Sequence, residues 1–136
     1  MKRNLVLMVL LALAFAPVKA QFSTVYFSSY CERTLNSDNT TWGAWSDWAS
    51  SEGDIEKYDE FFLINFNDVE YFLDIIDEAD AVVDEQGYMH RSFNCTDDDG
   101  YDCRIDVAID PLEAKIVQCQ LWYAQTAKAF SISGEE

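Results

Sequence analysis

The sequence predicts an all-β fold, an antiparallel meander of six to eight strands that forms a small barrel or half-barrel held by two disulfides. Apolar and polar residues alternate in several short segments, as they do in half-buried strands. Aromatic and β-branched residues, which favour strands, are concentrated in those segments. No repeat, linker or long low-complexity run divides residues 21–136, so we expect a single small β domain there.

Four segments have the clearest strand character. Residues 22–30 alternate aromatic side chains with Ser and Thr, residues 61–66 are rich in aromatics, and residues 88–94 and 103–109 alternate more regularly. The segment at 69–83 fits two patterns, because Val69, Phe72 and Leu73 begin a helical spacing that Asp68 would cap. We favour a strand, since its neighbours on both sides are strand-like; the alternative is an α+β fold with one helix near 69–83.

The segment from Met89 to Tyr123 predicts a three-stranded meander. If Cys95 stands opposite Cys103, Phe93 meets Ile105 and Met89 meets Ile109, so the apolar faces of the first two strands coincide. A turn at 110–114 then sets Val107 against Val117 and Ile105 against Cys119, and the inner face of the third strand consists of Val117, Cys119, Leu121 and Tyr123. The same register puts Arg91 on the inner face opposite Val107, where it must snorkel or pair with a carboxylate.

Residues 1–20 have the features of a secretory signal peptide. A basic start at Lys2 and Arg3 precedes an apolar stretch, and small residues surround an expected cleavage after Ala20. The apolar stretch is shorter than the roughly 20 residues of a membrane-spanning helix, and no second stretch of that kind follows. We therefore expect no membrane span and an exported protein, either periplasmic or secreted, that begins at Gln21.

The charge of the chain limits its partners. It has nine basic and 25 acidic residues, and cleavage would remove Lys2, Arg3 and Lys19, which leaves six basic residues and a formal charge of −19. Such a charge repels nucleic acid and anionic membrane surfaces. Basic proteins, cations and neutral ligands such as glycans are compatible partners, although the charge also serves solubility without any partner.

The four cysteines predict two disulfides, because an even number of cysteines in an exported chain is typical of a disulfide framework. The predicted register joins Cys95 to Cys103, and elimination leaves Cys31 with Cys119. The spacing of the cysteines does not suit zinc, and the only histidine is His90.

A tryptophan repeat stands at Trp42, Trp45 and Trp48. It resembles the opening of a thrombospondin type 1 repeat, but no cysteine follows closely and no arginine lies between Arg33 and Arg91, so we interpret the likeness as a false match. Two hypotheses remain for the three rings. They pack against a strand, or they form an aromatic platform that binds a sugar or another ring-faced ligand.

The acidic loop at 97–102 has two interpretations. As a hairpin turn it uses Gly100 for a positive φ and the Asp side chains for local hydrogen bonds. As a weak calcium site it would use Asp97, Asp99 and Asp102, although the spacing is not that of an EF-hand loop. The run from Cys95 to Cys103 between alternating strands, after a Trp-rich segment, resembles small uncharacterised exported bacterial β-meander proteins, a likeness that implies a β-meander and no activity.

The chain contains no common catalytic motif, so we assign no catalytic residue and interpret His90 as structural. The leading hypothesis is an exported, non-enzymatic binding or interaction module. The first alternative is a small carbohydrate-active hydrolase in which tryptophans stack on sugars and two carboxylates do the chemistry. The second is a calcium-dependent structural protein.

Overall fold

The computed structural model describes residues 21–135, so the predicted signal peptide at 1–20 lies outside the described residues. The described chain forms nine strands. They are β1 (Gln21–Thr34), β2 (Ala49–Tyr58), β3 (Phe61–Phe66), β4 (Val69–Glu78), β5 (Val82–Val83), β6 (Met89–Asp97), β7 (Asp102–Asp110), β8 (Lys115–Trp122) and β9 (Thr126–Glu135).

Eight of these strands form a closed antiparallel barrel. Strands β1 to β4 and β6 to β9 pair in chain order, and β4 pairs directly with β6 because β5 is not part of the ring. Strand β9 pairs with β1 and closes the wall. The short β5 pairs with the start of β6 as an extra strand. Closure leaves the eight strands without an unpaired long edge. The predicted all-β meander is therefore confirmed, and it is a barrel and not a half-barrel.

The segment at 69–83 contains the strands β4 and β5 and no helix, so the alternative with one helix near 69–83 is wrong. Leu73 is 0% exposed and Tyr71 and Ile75 pack against the core, whereas Asp74 between them is exposed. Because alternate residues of a strand point to opposite faces, this period of two buries the apolar side chains on the inner face of the wall and leaves the polar ones on the outer face. Within residues 21–135 no helix is long and apolar enough to cross a membrane.

Aromatic rings fill the middle of the barrel. The ring centroids of Phe27 and Phe130 are 4.6 Å apart, and Phe66 lies 6.1 Å from Phe27 and 5.5 Å from Phe130. Phe62 and Phe93 meet edge to face at 5.2 Å. The centre of the barrel is therefore a packed core, and space for a ligand inside the barrel lies toward one of its two ends.

The predicted register of the first hairpin in the meander is confirmed. Cys95 stands opposite Cys103, Phe93 opposite Ile105, and Met89 opposite Ile109. The register of the next pair is wrong by two residues: Val107 faces Cys119 and Ile105 faces Leu121. An irregularity between Ala108 and Ile109 inserts Val117 as an extra residue, so Ile116 packs against the core in its place and Val117 is exposed.

The two predicted disulfides are not present, and all four cysteines are buried free thiols. Cys95 and Cys103 lie side by side in the core without a bond between their sulfur atoms, and burial raises their pKa values to about 12 and about 11. The pairing of Cys31 with Cys119 is wrong because the two lie on different faces of the wall. Cys119 faces Phe130 inside the core, whereas Cys31 follows the core-packed Tyr30 and so faces the other way.

Candidate functional site

Two small cups lie at opposite ends of the barrel. We define the β5 mouth as the end at which β1 and β6 begin and β2 and β7 end, beside the extra strand β5. The opposite mouth is the end that carries the turns at 67–68, 98–101 and 123–125. The packed phenylalanines separate the two cups.

The cup at the β5 mouth has a volume of about 60 Å³. Its walls are mostly apolar. Five strands, β1, β2, β3, β6 and β7, contribute the side chains of Val25, Ile55, Phe62, Phe93, Val107 and Ile109. The inward side chains of these strands converge because successive residues of a barrel strand alternate between interior and exterior. Ser23, Lys57 and Arg91 add polar groups to this apolar lining.

Two cations of the β5 mouth lie against one aromatic ring. Lys57 Nζ is 5.4 Å from the ring centroid of Phe93, and Arg91 Cζ is 5.1 Å from the same centroid. Lys57 Nζ also donates a hydrogen bond to the backbone oxygen of Tyr58 at 3.2 Å. Burial lowers the pKa of Lys57, and the positive charge of Arg91 lowers it further. The cup therefore places like charges close together in an apolar setting.

Arg91 has the partner that its inward position predicts. It stands opposite Val107, and its Nε and Nη2 donate to the two carboxylate oxygens of Glu78 at 2.8 and 3.1 Å. The prediction that Arg91 pairs with a carboxylate is thus confirmed. The side chains of Arg91 and Glu78 are 36% and 40% exposed, so solvent screens this pair and it contributes little stability.

The β5 mouth holds two of the six basic residues among the described residues, Lys57 and Arg91. The other four are engaged elsewhere: Arg33 and Arg104 lie against tryptophan rings, Lys128 pairs with Glu32, and Lys115 pairs with Glu113. Both cations line the apolar cup, whereas the turn between β2 and β3 at the same end carries Asp59 and Glu60, so the excess of positive charge is confined to the lining of the cup.

The cup at the opposite mouth, about 80 Å³, has polar groups that satisfy one another. The hydroxyl of Tyr123 donates to Asp97 Oδ2 at 2.9 Å. Burial raises the pKa of that phenol, and the hydrogen bond raises it further. Lys128 Nζ lies 2.9 Å from the carboxylate of Glu32. This end therefore offers less local positive charge to a ligand than the β5 mouth does.

Trp42 and Trp45 are packed around an arginine. Their rings meet the edge of Trp122 at centroid distances of 5.0 and 5.9 Å. Arg33 Cζ lies 6.0, 5.0 and 5.9 Å from the rings of Trp42, Trp45 and Trp122, and Arg104 Cζ lies 5.5 Å from Trp122. These distances favour the packing hypothesis for the first two tryptophans. Trp122 and the two arginines were missed by sequence reasoning, because only folding brings β1, β7 and β8 to this cluster.

Trp48 differs from the other two members of the repeat, because it is 50% exposed. The loop that carries the repeat runs alongside the end of β1, where Gly43 N donates to Thr34 O at 2.9 Å and Ser46 N donates to Glu32 O at 2.7 Å. The platform hypothesis for a glycan therefore depends on Trp48, and it stays a prediction.

The acidic loop is a hairpin turn whose hydrogen bonds centre on one carboxylate. Asp97 Oδ1 accepts from the backbone N–H groups of Asp99 and Tyr101 at 3.0 and 2.9 Å, and Gly100 has a φ of 85°. These bonds lower the pKa of Asp97 although its desolvation opposes them. No group of three or more metal-ligating side chains lies together within residues 21–135. A weak calcium site at Asp97, Asp99 and Asp102 stays a prediction.

His90 joins the β5 region to the barrel wall. Its Nε2 lies 2.7 Å from Asp84 Oδ2, and its Nδ1 lies 2.8 Å from Asp106 Oδ2. Ser92 donates to the other oxygen of Asp106 at 2.8 Å. An imidazolium can donate to both carboxylates, whereas a neutral imidazole can donate to only one, so these bonds raise the pKa of His90.

The stability that His90 provides should depend on pH. Its pKa is raised above the ordinary value of 6.5, so its contribution is fully present below about pH 6.5 and is lost as the pH rises through the raised value. As the pH rises from about 6.5 through the raised pKa, we expect the melting temperature of the wild-type protein to fall by more than that of His90→Gln. Thermal melts of both proteins from pH 5 to pH 10 test this expectation, and parallel curves would contradict it.

Sequence reasoning also missed Lys57, because it missed β2 altogether. The strand Ala49–Tyr58 contains a single aliphatic residue larger than alanine, Ile55, and its inward positions include Gly53 and Lys57. In a strand, a residue two positions after Ile55 points to the same face, so Lys57 would have been placed inside the barrel if the segment had been identified as a strand.

Comparisons with known proteins do not identify the function of either cup. The resemblance to exported bacterial β-meander proteins stays a prediction, and so does the hydrolase alternative. No protein-family model and no curated protein sequence matches this chain.

Proposed function

We propose that this protein is an exported, non-enzymatic binding module whose barrel takes the apolar part of a small ligand into the cup at the β5 mouth. The observation that carries the proposal is the position of that cup, an apolar recess lined by side chains from several barrel strands beside a few polar groups. Small-molecule sites are commonly concave and mostly apolar with a few polar groups, and the mouths of barrels are among their usual places. Export rests on the signal peptide predicted at 1–20.

The size of the cup limits the ligand. A cavity of about 60 Å³ holds on the order of four to six water molecules, since each needs about 10–15 Å³ by this measure. It suits a short alkyl tail or the edge of one aromatic ring. Each buried methylene contributes about 0.8 kcal/mol, so three of them would strengthen binding roughly 50-fold.

Binding can be tested with a six-carbon probe. We expect hexanoate, titrated into the folded protein, to shift the methyl NMR signals of Ile55, Val107 and Ile109 in a saturable way, because these side chains line the cup. Ile109→Phe should abolish the shifts by filling the cup. Val117→Phe, on the neighbouring strand at an exposed position, is the matched control and should keep them.

Two outcomes would overturn the proposal. One is the absence of saturable shifts in the wild-type protein. The other is a set of shifts that survives Ile109→Phe or that maps to Ile64 and Leu121, which line the cup at the opposite mouth.

A further inference from the structure

We propose that the ligand of the β5 mouth is a monocarboxylate, whose head group binds between Lys57 and Arg91 while its apolar tail enters the cup. The inference rests on the proposed function and adds the chemical class of the ligand. It follows from the position of two cations at the rim of an apolar recess.

The cations are held close together by the fold. Lys57 and Arg91 approach the same ring of Phe93, at 5.4 and 5.1 Å from its centroid, so their charges repel one another at short range. Phe93 is buried, and this apolar ring weakens the screening between the two charges. The carboxylates of Glu78 and Asp59 offset part of this repulsion, yet burial and Arg91 still leave the pKa of Lys57 lowered, so a ligand anion placed between the two cations would stabilise the charged lysine.

Glu78 shows which anion fits. Its two carboxylate oxygens accept two hydrogen bonds from Arg91 in the paired geometry that suits a planar carboxylate. Because this pair is partly exposed, a ligand carboxylate can replace Glu78 at a small cost. Glu78 therefore acts as an internal competitor for the ligand head group.

The polar and apolar parts of the site are arranged in the order that such a ligand requires. Lys57 and Arg91 are themselves part of the lining of the cup, together with Ile55 and Phe93. A carboxylate held by the two cations would thus have its first carbon atoms directly over the apolar recess. A short fatty acid or a small aromatic acid has this combination of head group and tail.

The test compares hexanoate with 1-hexanol, which has the same tail and no charge, by titration of the full folded protein followed by the same methyl NMR signals. We expect hexanoate to bind about tenfold more tightly, since a charge-assisted hydrogen bond supplies a difference of that order. Lys57→Met should reduce the preference to less than about threefold. Equal affinities of the wild-type protein for the two probes would overturn the carboxylate inference and leave the proposed function standing, whereas no binding of either would overturn both.

The variant Glu78→Gln tests whether Glu78 competes with the ligand head group or only supports the structure around Arg91. Removing the internal competitor should strengthen hexanoate binding about threefold to tenfold and leave 1-hexanol unchanged. Glu113→Gln is the matched control, because Glu113 pairs with Lys115 in the β7–β8 turn, and it should change neither affinity. Weaker hexanoate binding in Glu78→Gln would overturn the assignment of Glu78 as a competitor and with it the proposed head-group position.

Discussion

Gly53→Ala should destabilise this protein by about 3 kcal/mol or more, the upper end of what overpacking costs. A Cβ atom at Gly53 would overlap the backbone oxygen of Asn65 and the ring of Phe27. Neither neighbour can move cheaply. Asn65 belongs to β3, which is hydrogen-bonded to β2 along this stretch, and Phe27 is buried against Phe66 and Phe130.

Urea unfolding of Gly53→Ala, followed by tryptophan fluorescence, measures this effect. Gly134→Ala is the control, because Gly134 lies on β9, on the far side of β1 from β2, and a Cβ there meets nothing within 4 Å. The control should change the free energy of unfolding by less than about 1 kcal/mol. If both variants unfolded at the wild-type urea concentration, Phe27 would not cover Gly53 as the structure has it.

Phe130→Ala should cost about 3 to 5 kcal/mol of the free energy of unfolding, the usual range for removal of a buried phenylalanine ring. Phe130 is 1% exposed, and its ring contacts those of Phe27 and Phe66, which come from two other strands. Truncation would therefore leave a cavity between three parts of the wall. A barrel of this size has a total stability of only about 5–15 kcal/mol, so the loss would be a large share of it.

Thermal and urea unfolding of Phe130→Ala give the magnitude. Leu112→Ala is a suitable control, because Leu112 lies in the β7–β8 turn and is 95% exposed. We expect that control to stay within about 0.5 kcal/mol of the wild-type protein. A loss below about 1 kcal/mol for Phe130→Ala would mean that the three rings do not form the centre of the core.

The sequence predicted the fold most successfully where a strand buries one face only. In β4, the order of Tyr71, Leu73 and Ile75 carries the period of two, and the same local pattern identified β6 and β7. The register of β6 on β7 followed from matching two apolar faces, and it also placed Arg91 inside. The prediction failed at β8 for two reasons: Asp110 pairs with Lys115 and not with Ala114, and the extra residue at Val117 shifts the pairing by one more position. Neither feature is visible in the local composition.

The candidate site was harder to predict than the fold. Arg91 was recognised as an inward charge, but its neighbour in the cup, Lys57, lies on a strand that has too few apolar residues to show a pattern. The predicted tryptophans are divided by the fold, with Trp42 and Trp45 packed around Arg33 and Trp48 exposed. The pairing of Cys31 with Cys119 failed because spacing alone does not say which face of the wall Cys31 occupies, whereas Cys95 and Cys103 do stand opposite each other without a bond.

By itself the sequence determined the fold class, the inward faces of the central strands and the position of Arg91, all of which depend on neighbours a few residues away. Only the tertiary structure decided that β4 meets β6, that β9 meets β1, and that Lys57 and Arg91 reach the same ring of Phe93. The physical reason is that closure of a barrel requires the number, tilt and stagger of all its strands to agree. That agreement is a property of the whole wall, and no single segment of the chain contains it.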